Sequence, residues 1–302
     1  MVCKVVFMGS PDFALPTLQG LVQHYQVVGV VTQPDRPAGR GRTLTPPPIK
    51  LLADELRLPV IQPGKLRQPG VYEQLQAWQP DVIVVTAFGQ ILRQNVLEMA
   101  PFGCVNVHAS LLPRWRGAAP IQASLLAGDV ETGVTIMKMD VGIDTGPILV
   151  QQTIPISPND SAESLSARLA SDGADLLIKT LPAYLAGEIK PVPQPEEGAS
   201  YAGMIKKEDG LLDFQQPAVN LVNRLKAFTP WPGGFMVLEG ETLKIKDAHI
   251  ETGHPGKPGD RGQINGLPAV CTSMDWLVLD EVQPAGKKAM PGDVFLRGAR
   301  HW

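Results

Sequence analysis

The chain has 302 residues, 44% of them hydrophobic and 19% charged, a balance that fits a folded globular protein and excludes disordered or collagen-like classes. A length near 300 exceeds what one hydrophobic core usually serves, so two domains are expected. The net charge of −3 argues against indiscriminate attraction to nucleic acid, so any such contact needs a local cationic face.

Lys4 to Met8 is an apolar run closed by Gly9-Ser-Pro-Asp12, which reads as strand, turn and helix start. Pro11 suits a first helical position and Ser10 a cap. That apolar run is too short for a signal-peptide core, and no apolar stretch is long enough for a membrane span. Cys3, Cys104 and Cys271 are odd in number and lack metal-ligand spacing, so a reducing, cytoplasmic setting without a metal is expected. Leu15, Leu18 and Val22 recur at helical spacing, and Val27–Val31 and Asp81–Val85 read as further buried strands. Apolar strands alternating with amphipathic segments predict a doubly wound, Rossmann-like parallel sheet of the α/β class, which binds ligands beyond its strands' carboxyl ends. The turn after Gly9 lacks the G-x-G-x-x-G spacing of a dinucleotide site. Residues 33–48 are too long and polar for an ordinary strand–helix connection. Arg36, Arg40 and Arg42 there, with Lys50 beyond, face Asp35 alone, which describes a cationic arm anchored at both ends.

Cys104-Val-Asn-Val-His108 reads as a strand end. Residues two apart share a face, so Asn106 and His108 should project side by side. Asp140-Val-Gly-Ile-Asp144-Thr-Gly then brings a carboxylate on a glycine-punctuated loop. Each residue alone is commonly structural. An amide, an imidazole and a carboxylate together suit acyl transfer, one polarising a carbonyl and two handling protons. Arg114-Trp115-Arg116 fits either a nucleic-acid surface or a structural Trp between solvated arginines. Ser161 to Ala186 has helical periodicity with Leu165, Leu169, Leu176 and Leu177 on one face, and reads as a packing helix. The proline-rich stretch after Gly187 reads as a linker. The expected division is 1–189, a linker at 190–205, and 206–302. In the last part, a helix at 218–225 and strand-like runs at 235–238, 243–250, 269–272 and 276–282 suit a small β-barrel.

Asn106-x-His108, Ser110-Leu-Leu-Pro113 and Asp144 resemble the active-site pattern of the folate-dependent formyltransferase family. The string from His108 to Ile121 is similar to the branch that formylates methionyl-tRNA, as are Thr32–Gly41, Glu131–Ile136 and Pro284–Met290. The resemblance implies 10-formyltetrahydrofolate as donor and the α-amine of methionyl-initiator-tRNA as acceptor, for translation initiation. It implies that Asn106 and His108 stabilise developing negative charge, that Asp144 holds His108, and that no metal takes part. Ser110, Leu111, Leu112 and Pro113 would line the folate pocket. Arg36, Arg40 and Arg42 would reach the tRNA acceptor end, and an OB-like C-terminal domain would hold tRNA, with Lys206, Lys207, Lys287 and Lys288 as its candidate contacts. A monomer without membrane contact is expected. A formyltransferase for a small amine would share the trio but is not expected to carry the arginine arm or the C-terminal domain. Ala109 stands where the family has Gly, which requires a negative φ there.

Overall fold

A computed structural model describes residues 3–38, 43–299 and 302. By packing they form two compact units, one of residues 1–120, 131–155 and 166–202, the other of 121–130, 156–165 and 203–302.

The first unit holds a seven-stranded sheet of β1 (Lys4–Gly9), β2 (Gln26–Val31), β3 (Val60–Ile61), β4 (Val82–Thr86), β5 (Cys104–His108), β6 (Glu131–Lys138) and β7 (Ile148–Pro155). The spatial order is β7-β6-β5-β4-β1-β2-β3. From β5 to β3 every pairing is parallel, as the buried Val/Ile runs predict. β6 and β7 continue the sheet antiparallel, an extension the sequence reading did not anticipate. Val6, Met8, Ile83, Val85 and Cys104 meet in one core cluster under these strands.

β5 is buried along its whole length. Its outer face carries Val107 under the helix Ala162–Leu185, and Gly173 makes that approach possible. A Cβ at Gly173 would come within 2.8 Å of Val107 Cγ1 and 3.1 Å of Val134 Cγ1. The helix buries Leu165, Leu169, Leu177 and Leu181, while Leu176 is half-buried. With Val107 on the helix side, period-two alternation turns Asn106 and His108 to the opposite face at the strand's carboxyl end.

Ser10 does not cap a helix. A 3-10 turn at Asp12–Ala14 precedes the helix Leu15–His24, and the Ser10 hydroxyl accepts from the Gln33 backbone N–H at 3.1 Å and from Thr32 Oγ1 at 3.2 Å. A local cap is thus replaced by a tie across the sheet, which joins the ends of β1 and β2. The arginine arm leaves β2 as an antiparallel ribbon of Arg36–Ala38 with Thr43–Thr45. Arg40 and Arg42 lie outside the described residues. The proline-rich stretch packs with the first unit as far as Ala202: Val192 bridges Ile148, and Tyr201–Ala202 pairs in parallel with Arg116–Gly117.

In the second unit, β8 (Gly234–Leu238), β9 (Glu241–Glu251), β10 (Arg261–Ile264), β11 (Leu267–Cys271), β12 (Trp276–Pro284) and β13 (Met290–Pro291) form an antiparallel sheet. Its order is β8-β9-β12-β11-β10, with β13 on β12. Register shifts after Ile245 and Asp247 bend the long β9, the device by which small β-barrels turn their corners. The helix Ala218–Ala227 lays Leu221 and Leu225 on Leu243, Ile245, Leu277 and Leu279. Lys206 and Lys207 are exposed at the start of a short 3-10 turn, and Lys287 and Lys288 are exposed in the connection from β12 to β13. Among the described residues, no helix is long and apolar enough to cross a membrane.

Candidate active site

Three polar side chains converge beyond β5. Asn106 and His108 are 7% and 5% exposed. Asp144 reaches both: Oδ1 lies 3.5 Å from Asn106 Nδ2, and Oδ2 lies 3.6 Å from His108 Nδ1. Asp144 Oδ2 also accepts the backbone N–H of Gly117 at 2.8 Å, the shortest of its contacts. The other His108 nitrogen, Nε2, lies 3.0 Å from the Trp115 carbonyl oxygen. The imidazole therefore stands between two acceptors, the Trp115 carbonyl and the Asp144 carboxylate.

Non-glycine residues with positive φ gather at these loops: Ala87 (+48°) just past β4, Trp115 (+62°) and Asp144 (+52°). Each such conformation costs on the order of 1–3 kcal/mol and persists only where its surroundings enforce it. Ala109 has no positive φ, so its extra methyl is accommodated.

The segment Ser110–Pro113 is fastened to the sheet. Thr135 Oγ1 donates to the Ser110 carbonyl at 2.6 Å and accepts the Leu112 N–H at 3.1 Å, while Gln151 Nε2 donates to the Leu112 carbonyl at 2.9 Å. The Ser110 hydroxyl donates to the Arg114 carbonyl at 2.6 Å. Ser110 and Leu112 are buried, Leu111 packs against Gly133, and Leu111 and Pro113 keep part of their surface in solvent.

Arg116 is buried rather than solvated or on a surface, which corrects the sequence readings of Arg114-Trp-Arg116 at that one residue. It is 1% exposed, and its Nε donates to Gln194 Oε1 at 3.1 Å. Burial works against its charge, but the Tyr201 hydroxyl and the Glu196 carboxylate outweigh that and raise its pKa. Arg114 is exposed and stacks over the Trp115 ring at 4.5 Å. Cys104 lies at the far end of β5 with Sγ 3.6 Å from the Val96 carbonyl. Burial pushes its thiol up to about 12 against the pull of Lys138, so it supplies no thiolate nucleophile. Arg36 donates to Gln33 Oε1 at 3.1 Å, and Asp35, its expected neighbour in charge, accepts from Gln62 instead. Among the described residues, no cluster of His, Cys, Asp and Glu could hold a metal ion.

Residues 3–181 match the family described as formyl transferase, and residues 204–300 match the formyl transferase C-terminal domain. The methionyl-tRNA formyltransferase of Myxococcus xanthus is 50% identical over 98% of this chain and 95% of its own length. That of Geotalea daltonii is 46% identical over 98% and 95%. The chain belongs to the methionyl-tRNA formyltransferase family. Its fold extends to more distant formyltransferases: the structure of WlaRD, a sugar 3N-formyl transferase solved with dTDP and 5-N-formyl-THF, covers 95% of this chain and 100% of that one at 18% identity, with a TM-score of 0.69.

Within this formyltransferase, sequence reasoning missed the groups that hold the trio. The Gly117 N–H, the Trp115 carbonyl and Gln194 belong to no periodic pattern. The one signal on the page was the unusual glycine and proline density around them.

Proposed function

We propose that Asn106, His108 and Asp144 carry the transfer of the formyl group of 10-formyltetrahydrofolate to the α-amine of methionyl-initiator-tRNA. The observation that bears this reading is the convergence of the three side chains beyond the carboxyl end of β5, where doubly wound sheets bind ligands. The amine attacks the formyl carbon, and the C=O electron pair moves onto oxygen. Asn106 has one Nδ2 hydrogen left beyond its contact with Asp144, and that hydrogen can meet the oxyanion. His108 reaches substrate by exchanging one acceptor. Its 3.6 Å approach to Asp144 is longer than a hydrogen bond and yields first, while the 3.0 Å contact with Trp115 stays. One well-placed donor to an oxyanion is worth ~10²–10³ in rate. Asp144 stabilises the charged imidazole and, through water, takes the proton that the attacking amine loses. The intermediate then collapses, the C–N bond to tetrahydrofolate breaks, and the folate nitrogen takes up a proton.

In this reading Ser110–Pro113 borders the folate ring with backbone groups and the partly exposed Leu111 and Pro113, since Ser110 and Leu112 are occupied internally. The second unit holds tRNA, with Lys206, Lys207, Lys287 and Lys288 as phosphate contacts, and the arm with Arg36, Arg40 and Arg42 engages the acceptor end. The enzyme works as a monomer in the cytoplasm. The test is formyl transfer from 10-formyltetrahydrofolate to methionyl-tRNA, with free methionine and glycinamide ribonucleotide as competing acceptors. Charged tRNA should be the only acceptor used efficiently; equal use of a small amine would overturn the assignment.

A further inference from the structure

Gln194 lies in the proline-rich stretch after the long helix, and three of the four hydrogen-bonding directions of its carboxamide are engaged. Nε2 donates to the carbonyl oxygens of Asp144 at 2.8 Å and Gly146 at 2.7 Å, and Oε1 accepts from Arg116 Nε at 3.1 Å. Arg116 continues the chain of contacts: its Nη1 lies 3.5 Å from Glu196 Oε2, and its backbone N–H donates to the Ser200 carbonyl at 2.8 Å.

These contacts grip both backbone segments that flank His108. On one side is the Asp144 loop, whose φ of +52° needs outside support, and whose Gly146 leaves no room for a Cβ against the Lys138 carbonyl. On the other is Trp115, whose carbonyl faces His108 Nε2 and whose N–H donates to Ser200 Oγ at 3.0 Å. Only a primary amide meets this requirement. A glutamate would set a carboxylate oxygen against two carbonyls, and a lysine could not accept from Arg116.

We propose that Gln194 is a positioning residue for formyl transfer, holding Asp144 and, through Arg116, the Trp115 carbonyl at the His108 imidazole. This inference rests on the reading that Asn106, His108 and Asp144 carry the chemistry. Misplacement of a reacting group by about an ångström costs on the order of 10² in rate, so the effect belongs in kcat.

The test uses the full-length enzyme with 10-formyltetrahydrofolate and methionyl-tRNA, measured in the steady state and in single turnover. Gln194→Glu is near-isosteric, and Gln194→Met keeps the length while removing the polar atoms. Each should lower the single-turnover rate about 10- to 100-fold, with both KM values within about threefold of wild type. In an Asp144→Ala background the loss caused by the same substitutions should shrink at least about threefold relative to the wild-type background, because one of the two groups they position is gone and only the Trp115 carbonyl remains. Should one variant fail to give a cooperative melt, the other decides. Turnover within about threefold of wild type in a folded variant overturns the proposal, as does an undiminished loss in the Asp144→Ala background. If Asp144→Ala alone keeps normal turnover, the catalytic reading has failed instead, a result distinct from either of these.

Discussion

Replacing Asp144 by Asn preserves shape and removes charge, so it isolates what the carboxylate contributes. In the wild type its two oxygens face three donors: the Gly117 N–H at 2.8 Å, His108 Nδ1 at 3.6 Å and Asn106 Nδ2 at 3.5 Å. An asparagine offers one oxygen and one NH2. If the oxygen keeps Gly117, the NH2 points at Asn106 Nδ2, donor against donor; the flipped amide opposes the Gly117 N–H instead. Either way one buried donor loses its acceptor, at about 1–3 kcal/mol, and a contact of a charged group worth about 1.5–3 kcal/mol is weakened. Only the share felt in the transition state alone reaches the rate. Taking about 3–4 kcal/mol of it, at about 1.4 kcal/mol per factor of ten, kcat should fall by ~10²–10³. Single-turnover formylation of methionyl-tRNA at saturating donor measures this directly, with donor affinity followed in parallel by fluorescence. A drop below about fivefold in a variant that melts like wild type would refute the role given to the carboxylate.

Asn106→Ala and His108→Ala should each lower turnover by ~10² or more while donor affinity stays within about tenfold; near-normal turnover in both would remove the oxyanion argument. Replacing Arg40 and Arg42 by alanine should flatten the salt dependence of tRNA affinity by a slope of roughly 1 to 2, and parallel lines in a salt series would show that neither touches phosphate. With its pKa raised to about 12, Cys104 is protonated throughout the neutral range, and its thiolate appears only as pH approaches that value. Iodoacetamide at neutral pH should therefore leave Cys104 unlabelled in the folded enzyme, read by peptide mass; rapid labelling there would refute the burial argument. Gly173→Ala should cost about 1–3 kcal/mol of stability by pressing a methyl into Val107, and an unchanged melting temperature would mean the helix shifts freely.

Why some of this was readable and some was not follows from the range of the forces involved. β1, β2, β4 and β5 announce themselves as Val-rich runs because both of their faces are buried. Period-two alternation alone then set Asn106 beside His108. β6 and β7 gave no such signal: Gly133 and Thr135 interrupt one, and exposed Gln151 and Gln152 dilute the other. Their place is fixed by pairing across the sheet rather than by local preference. Ser10 was read as a cap because Ser before Pro commonly is one, yet a backbone donor just past the end of the next strand took its hydroxyl. Arg116 was read, from its neighbours in sequence, as either part of a nucleic-acid surface or solvated beside a structural Trp. Its burial follows from Gln194 and Glu196, far along the chain, and no window of residues contains both ends of that contact.

The stretch from Lys190 to Ala202 has the composition of a spacer, and a protein engineer would cut there first. Its hydrogen bonds tie it instead into the first unit, folded back on the loops around His108. A chimera that trades the C-terminal module for a different domain should therefore place its junction at Gly203 or beyond. A junction at the first proline, Pro191, would hand the new partner the residues that keep Asp144 in its strained conformation. The modular seam of this chain lies at the end of its spacer-like segment.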